Sequence, residues 1–384
     1  MITEEGLRKA LAGPPIVFEK NVKGKGKVGE LVDIEFGDMK LCGMWDETGP
    51  VRLRLLLFHE CPSTPKDAFE ELIENSYRVR ELNGAANWEA YRLVNGDGDM
   101  LSGLIVDVYK DVAVLQSSSR AIDVHISEIA EIVKRVTGVS SVYEKSVQRV
   151  RRKVGLEPRE GFIIGNVKEV VVDEEGVKMY VNVTLQKTGL YLDQRENRVL
   201  FGHLSYGRVL DLFSYTGGFG LHALHNGASK VKFVDEDPEA LSVLRINLKL
   251  NGVNEDKAEI VQSDVWSYLR IERGSFDSMS VDPPAFIPSK EYFEIGVKDY
   301  LKAYSESLKR LEIGGIAALS SCSQPLTRDK FLGVIGKATR YAKSHVRIFK
   351  IGGASRDHVT LPQVPYLEYL KTAFLVKIGS TYSS

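Results

Sequence analysis

The sequence predicts an α/β protein, with a doubly wound parallel sheet in the C-terminal part, a small β-rich module at the N-terminus and an α+β domain between them. That expectation rests on three observations. Residues 185–384 alternate strand-length apolar runs with helical-period stretches in a regular series. One junction in the series, Asp211-Leu-Phe-Ser-Tyr-Thr-Gly217-Gly218-Phe-Gly220, reads as a buried strand passing through a glycine turn into a helix. Residues 1–74 instead hold short apolar runs broken by Gly, Pro and Asp-Glu turns.

Taken in order, Ile16-Val-Phe, Leu31-Val-Asp-Ile and Val51-Arg-Leu-Arg-Leu-Leu-Leu are the expected strands of the first module. Lys20, Lys23, Lys25 and Lys27, interleaved with glycine, lie between the first two, either as a solvated loop or as a contact for RNA. A helical pattern over 67–80 reads as a connector. Residues 75–184 show strands at 104–109 and 112–115 and one amphipathic helix over 126–136. A second basic cluster, Arg149, Arg151, Arg152 and Lys153, is either a bare surface helix or a phosphate contact. Beyond 185, strands are expected at 209–213, 230–234, 259–262, 276–281 and 315–321. Helices are expected to follow them at 219–226, 238–251, 265–272, 297–311 and 328–343. Two late strands, 346–350 and 373–377, joined by a long irregular loop, suit an antiparallel pair at the sheet edge.

Composition narrows the classes. The chain has 384 residues, enough for two or three domains, and a formal net charge of −1, so a nucleic-acid partner would need a local basic patch. No apolar run is long enough to span a bilayer, and the N-terminus lacks the basic-then-apolar build of a signal peptide. Cys42, Cys61 and Cys322 are far apart with no C-x-x-C. They suggest a reducing cytoplasm, no disulfide framework and no bound metal.

The glycine junction points to a cofactor. Phe213, Thr216, Gly217 and Gly218 are its expected contacts, with Asp211 facing the pocket from the strand end. A pyrophosphate would be repelled by that acid, whereas a ligand carrying ammonium and sulfonium charges would be attracted. The expected cofactor is therefore S-adenosylmethionine. The rival is a dinucleotide, since Gly218-Phe-Gly220-Leu-His-Ala223 satisfies G-x-G-x-x-A and Asp235 follows where a ribose-binding acid would stand. Asp264, ending the third strand, favours S-adenosylmethionine, because a carboxylate there can accept from an adenine amine. Any one of these acids could equally be a helix N-cap.

The fourth and fifth strands carry the chemistry. Asp282-Pro283-Pro284-Ala285-Phe286 holds extended backbone beside the reacting centre and supplies an aromatic ring for a flat substrate. By itself this run suits methylation of planar nitrogenous rings, especially exocyclic amines. Cys322 in Ser321-Cys322-Ser323 ends the fifth strand on the ligand side. Carbon 5 of cytosine is a poor nucleophile until a thiolate adds to carbon 6, which is the work expected of Cys322. A buried structural cysteine is the alternative. Asp282 would hydrogen-bond the N3 and amine edge of the base. Cys42 and Cys61 read as core or surface fillers.

These residues resemble the ribosomal RNA cytosine-C5 methyltransferase family that carries an N-terminal PUA module, typified by large-subunit enzymes of bacteria and archaea. The resemblance lies in Lys187-Thr-Gly-Leu-Tyr-Leu-Asp-Gln-Arg195, Phe213-Ser-Tyr-Thr-Gly-Gly-Phe, Asp282-Pro-Pro, Ser321-Cys322-Ser323 and the segment 91–104. It implies a Rossmann-like class I methyltransferase sheet over 185–384, a PUA-like RNA-binding module over 1–74 and a central α+β domain over 75–184. It also implies Cys322 as nucleophile and Thr188, Gln194 and Arg195 closing over the methionine end of the cofactor. His358, in Arg356-Asp357-His358, would stand near the substrate, with Lys23, Lys25, Arg151 and Arg152 toward the RNA. A homodimer fits the same resemblance. Ala285 and Phe286 occupy the place where many RNA cytosine-C5 enzymes keep a second cysteine. Three other readings stay open: a base-amine or ring-nitrogen RNA methyltransferase, a non-catalytic RNA assembly factor that keeps the pocket, and a nicotinamide oxidoreductase.

Overall fold

The computed structural model describes residues 2–56, 58–185 and 190–380. The C-terminal alternation forms a seven-stranded sheet of β1 (Arg208–Leu212), β2 (Lys230–Asp235), β3 (Ala258–Gln262), β4 (Phe276–Val281), β5 (Leu311–Ser321), β6 (Ser344–Gly352) and β7 (Lys371–Ser380). Its helices are α1 (Arg195–Leu204), α2 (Gly218–His225), α3 (Pro238–Leu250), α4 (Val265–Ile271), α5 (Phe293–Arg310) and α6 (Arg328–Tyr341). The strand order is β3-β2-β1-β4-β5-β7-β6. The first five strands run parallel, and β7 lies antiparallel between β5 and β6, as the late apolar pair suggested. The order reverses between β1 and β4, which opens a crevice at their C-terminal ends.

Alternation along β1 decides what each residue meets. Leu210 and Leu212 join one core with Val281, Leu319, Tyr300 and Phe331, while Val209 joins the opposite core with Phe219, Phe233 and Leu244. Asp211 shares the face of Val209, by the period of two. Helix α3 opens with Asp237 capping Glu239 and with Pro238 at its first position, a start that the sequence Asp-Pro encodes.

The chain divides into two compact units: residues 1–172, 181–184 and 356–367 in one, and 173–180, 185–355 and 368–384 in the other. The first holds a four-stranded antiparallel sheet in the order Ile16–Phe18, Val51–Leu55, Met39–Trp45, Leu31–Phe36. It also holds a five-stranded sheet in the order Ala90–Asn95, Leu104–Tyr109, Val112–Ser117, Ser141–Ser146, Arg159–Ile164. The long irregular loop 356–367 belongs to this unit, although its neighbours in sequence belong to the other. The helix expected as a connector, Pro65–Leu82, starts with a Thr64–Asp67 capping box and buries Ala68, Phe69, Leu72 and Ile73 against Leu93, Val106 and Ile129.

The cysteine reading needs correcting. Cys42 and Cys61 form a disulfide. Leu56 N–H donates to the Cys42 carbonyl and Cys42 N–H to the Phe58 carbonyl, each at 3.0 Å, so the chain leaving Val51–Leu55 returns alongside Cys42 and brings Cys61 to it. No helix among the described residues is long and apolar enough to cross a membrane.

Candidate active site

After β1 the chain turns sharply. Phe213, Tyr215 and Gly217 all adopt left-handed backbone, with φ of 59°, 50° and 87°. For non-glycine residues this costs on the order of 1–2 kcal/mol each, so the turn is held against a local penalty. Gly217 has a second requirement, because a Cβ there would meet Leu244 Cδ1 at 2.3 Å. At Gly220 a Cβ would meet Phe233 Cε1 at 2.2 Å, so α2 packs directly onto β2.

Asp211 does not face the pocket as expected. It is 1% exposed, accepts from Gly220 N–H at 2.9 Å and from the Ser280 hydroxyl, and so braces the turn from beneath. Burial pushes its carboxyl up to about 7.

A cavity of about 890 Å³ opens at the crevice. Its wall includes Tyr191, Asp193, Gln194, Phe213, Tyr215, Asp235, Asp264, Trp266, Asp282, Pro283, Pro284, Phe286, Cys322 and Tyr369. Asp235 ends β2 and accepts from the N–H groups of Tyr215 at 2.8 Å and Asp237 at 2.9 Å. Each of its oxygens keeps a second lone pair for a ligand hydroxyl. Asp264 caps α4 through the N–H groups of Ser267 at 2.8 Å and Trp266 at 3.3 Å. Partial burial raises its carboxyl, but these bonds and the Ser267 hydroxyl outweigh that and hold it below the usual range. Tyr191 and Tyr215 rings lie 5.0 Å apart, and Trp266 and Phe286 rings 5.8 Å apart, giving the cavity aromatic walls.

The residues fit S-adenosylmethionine. Asp235 and Asp264 can accept from a ribose diol and an adenine amine, and Asp193 supplies negative charge for the cationic end. Among the described residues the buried Ser214 hydroxyl, in the glycine turn, has no hydrogen-bond partner.

Cys322 and Asp282 stand at the ends of adjacent strands, with Cys322 Sγ 3.9 Å from the Pro283 carbonyl. The cysteine loop is pinned on both sides. Ser323 Oγ accepts from Ile287 N–H at 3.0 Å and shares a 2.8 Å hydrogen bond with the Tyr300 hydroxyl. Tyr304 donates to the Ser320 carbonyl at 2.7 Å. Burial pushes the Cys322 thiol up to about 12, reinforced by the charges of Asp282 and Asp193. Burial, then the charge of Asp193, pushes Asp282 up to about 7, while the Gln194 amide donating at 2.8 Å draws it back. The resting pair therefore carries a thiol beside a carboxyl that is half-protonated near neutrality.

The structure sorts the expected site residues into groups. Phe213, Asp235, Asp264, Gln194, Asp282, Pro283, Pro284, Phe286 and Cys322 line one cavity, whereas Asp211, Thr216, Gly217, Gly218 and Arg195 do not appear in its wall. Thr216 is buried with its carbonyl held by the Asn247 amide at 3.0 Å, and Gly218 starts α2 against Arg198. Arg195 is 4% exposed and lies 3.7 Å from the buried Glu174 carboxylate, which explains why it turns inward. Thr188 lies outside the described residues.

In the first unit Lys23, Lys25 and Arg152 are exposed. Arg151 is a correction: it is 1% exposed, pairs with Asp123 at 2.8 Å and donates to the Ser117 and Glu157 carbonyls, leaving no fork for phosphate. His358 is buried in that unit with Nδ1 2.8 Å from Asp357, whose other oxygen accepts from Arg92 N–H. Tyr191, Asp193, Tyr215, Trp266 and Tyr369 were missed. Tyr191 and Asp193 sit inside the 187–195 segment and Trp266 two residues past Asp264, so their signal in the sequence is adjacency to these motifs.

Residues 158–350 match a family model described as S-adenosylmethionine-dependent methyltransferase. A Tolumonas auensis protein named ribosomal RNA large subunit methyltransferase I is 34% identical over 371 residues, covering 93% of this chain and 94% of its own. An Escherichia coli O139:H28 protein of the same name is 31% identical, covering 97% of each chain. Among solved structures, a methyltransferase complexed with SAH gives a TM-score of 0.81 at 23% identity, covering 98% of this chain and 99% of that one. Identity of this extent along nearly the whole of both chains reflects shared descent, and the chain belongs to the S-adenosylmethionine-dependent methyltransferase family.

Proposed function

We propose that this chain methylates carbon 5 of a cytosine in large-subunit ribosomal RNA, with Cys322 bonding transiently to carbon 6. The observation that carries this reading is that Cys322 and Asp282 line the same cavity as Asp235 and Asp264. The choice of large-subunit RNA follows the names of the relatives. The Cys322 thiolate adds to carbon 6, and the displaced π electrons move toward N3, where the Asp282 proton meets them. S-adenosylmethionine, held by Asp235 and Asp264, supplies the methyl group that the electron-rich carbon 5 takes. Loss of the carbon 5 proton to Asp282 or to water restores the ring double bond and expels Cys322 as thiolate, and the N3 proton passes to solvent to leave neutral 5-methylcytosine. Phe286 and Trp266 are the surfaces on which a flipped base would stack.

In this reading residues 185–384 carry the chemistry, 1–74 act as a PUA-like RNA-binding module and 75–184 as an α+β domain between them. Exposed Lys23, Lys25 and Arg152 supply phosphate contacts. His358, tied to Asp357, acts by positioning the loop rather than by touching the base. The protein works in the cytoplasm, where its RNA is, and as a homodimer.

The test is Cys322→Ala assayed on unmodified ribosomal RNA, with 5-methylcytosine read by mass spectrometry. Methyl transfer should fall by at least about a thousandfold. Calorimetry should still show S-adenosylmethionine binding. Retained transfer would remove the covalent route and favour an amine acceptor, which the Asp282-Pro-Pro-Ala-Phe run also suits.

A further inference from the structure

We propose that Lys371 is a positioning residue whose buried ammonium stabilises the thiolate of Cys322. This rests on the reading of Cys322 as nucleophile and adds the group that makes its ionised form accessible. Lys371 opens β7, paired across from Ser321, one residue before Cys322. Its Nζ donates to the Ser323 carbonyl at 2.8 Å and to the Tyr369 carbonyl at 2.7 Å, so one ammonium spans the residue after Cys322 and a residue of the cavity wall. It is 5% exposed, and among the described residues no carboxylate pairs with it. An ammonium has three donors, and two are placed.

Burying a cation this way is costly, and packing alone would be served better by a methionine or leucine. Among the described residues, the other ionisable groups acting on Cys322 or acted on by it include Asp282, Asp193, Tyr191, Tyr300 and Tyr304. The two carboxylates oppose a thiolate when charged and the tyrosines are neutral at physiological pH, so among the described residues Lys371 is the positive charge set against them. Burial pulls Lys371 down to about 8, and a thiolate at Cys322 draws it back up, so the two groups favour each other's charged forms.

The test reads the thiol directly. With Cys42 and Cys61 joined, Cys322 is the one free thiol of the chain's three cysteines. The rate of its alkylation by iodoacetamide, followed by mass spectrometry of the intact protein across pH 7–10, reports thiolate population. Lys371→Met and Lys371→Gln should slow alkylation at pH 8 by about tenfold, the equivalent of one pKa unit, and move the profile upward. Lys371→Arg should retain most of the wild-type rate. Circular dichroism confirms the fold of each variant.

Unchanged profiles in folded Met and Gln variants would overturn the proposal. Failure of both neutral variants to fold, with arginine no better, would make Lys371 a purely structural residue and overturn it too. The outcome is independent of the Cys322→Ala assay. A catalytically idle Cys322 would still show the Lys371 effect, and an essential Cys322 could still lack it.

Discussion

At the residue scale, the proposed chemistry needs one proton in an unusual place: on Asp282 while Cys322 is a thiolate. Below the Asp282 value of about 7, Asp282 stays protonated and the thiolate fraction grows tenfold per pH unit. Above it, the loss of the Asp282 proton cancels that growth until the thiol itself titrates near about 12. At saturating donor, kcat/KM for the RNA should rise with unit slope and then level off, at or somewhat below pH 7, because a bound sulfonium favours both ionised forms. Asp282→Asn, neutral at every pH, should lose the break and keep rising through pH 9; a variant that levels at the wild-type pH would contradict the shared-proton scheme. Asp211 supplies a second residue-scale test, on stability. Its folded-state value is raised to about 7, so its contribution is fully present below the ordinary carboxylate value and is lost as pH rises through 7. Asparagine can still accept from Gly220 and donate to Ser280. Asp211→Asn should therefore gain on the order of 4 kcal/mol at pH 8.5, about a third of that at pH 5 and little below pH 4, measured by denaturant unfolding. Because Asp211 is absent from the cavity wall, donor affinity should change less than threefold.

At the scale of the element, the strand-to-helix junction is where local strain meets ligand binding. Gly217→Ala would put a side chain at φ 87° and within 2.3 Å of Leu244 Cδ1. The two penalties together should destabilise the protein by about 3 kcal/mol and weaken S-adenosylmethionine binding at least tenfold, read by thermal unfolding and calorimetry. An alanine variant with unchanged melting and affinity would mean that the turn relaxes freely. This junction was legible in the sequence because glycines cluster only where backbone must come close. The parallel strands were legible too, since strands buried on both faces read as continuous apolar runs. The direction of Asp211 was not legible from the motif, because it depends on which face of β1 meets α2, a property of packing. The burial of Arg151 was hidden for the same reason: its partner Asp123 is 28 residues away. The disulfide was hidden because Cys42 and Cys61 meet only after the chain leaving Val51–Leu55 folds back beside Cys42.

At the scale of the whole molecule, the two compact units divide stability from chemistry in a way that can be measured. All residues of the cavity wall belong to the second unit, whereas Cys42 and Cys61 belong to the first. The bridge spans 19 positions and ties the strand Met39–Trp45 to the chain entering the helix Pro65–Leu82, whose buried face completes the core of the first unit. Closing a loop of that length removes disorder from the unfolded chain worth about 3 kcal/mol. Reduction with a phosphine, checked by mass, should lower the stability of the first unit by about that amount, visible as earlier hydrogen exchange in residues 39–55 and 65–82. Donor affinity, measured by calorimetry on the same reduced sample below its unfolding temperature, should stay within about twofold, since no wall residue lies in the first unit. RNA affinity should fall along with the order of the first unit if that unit holds the substrate. Reduced protein that keeps its exchange protection and its RNA affinity would show the bridge to be dispensable. Loss of donor binding on reduction would show instead that the two units fold as one.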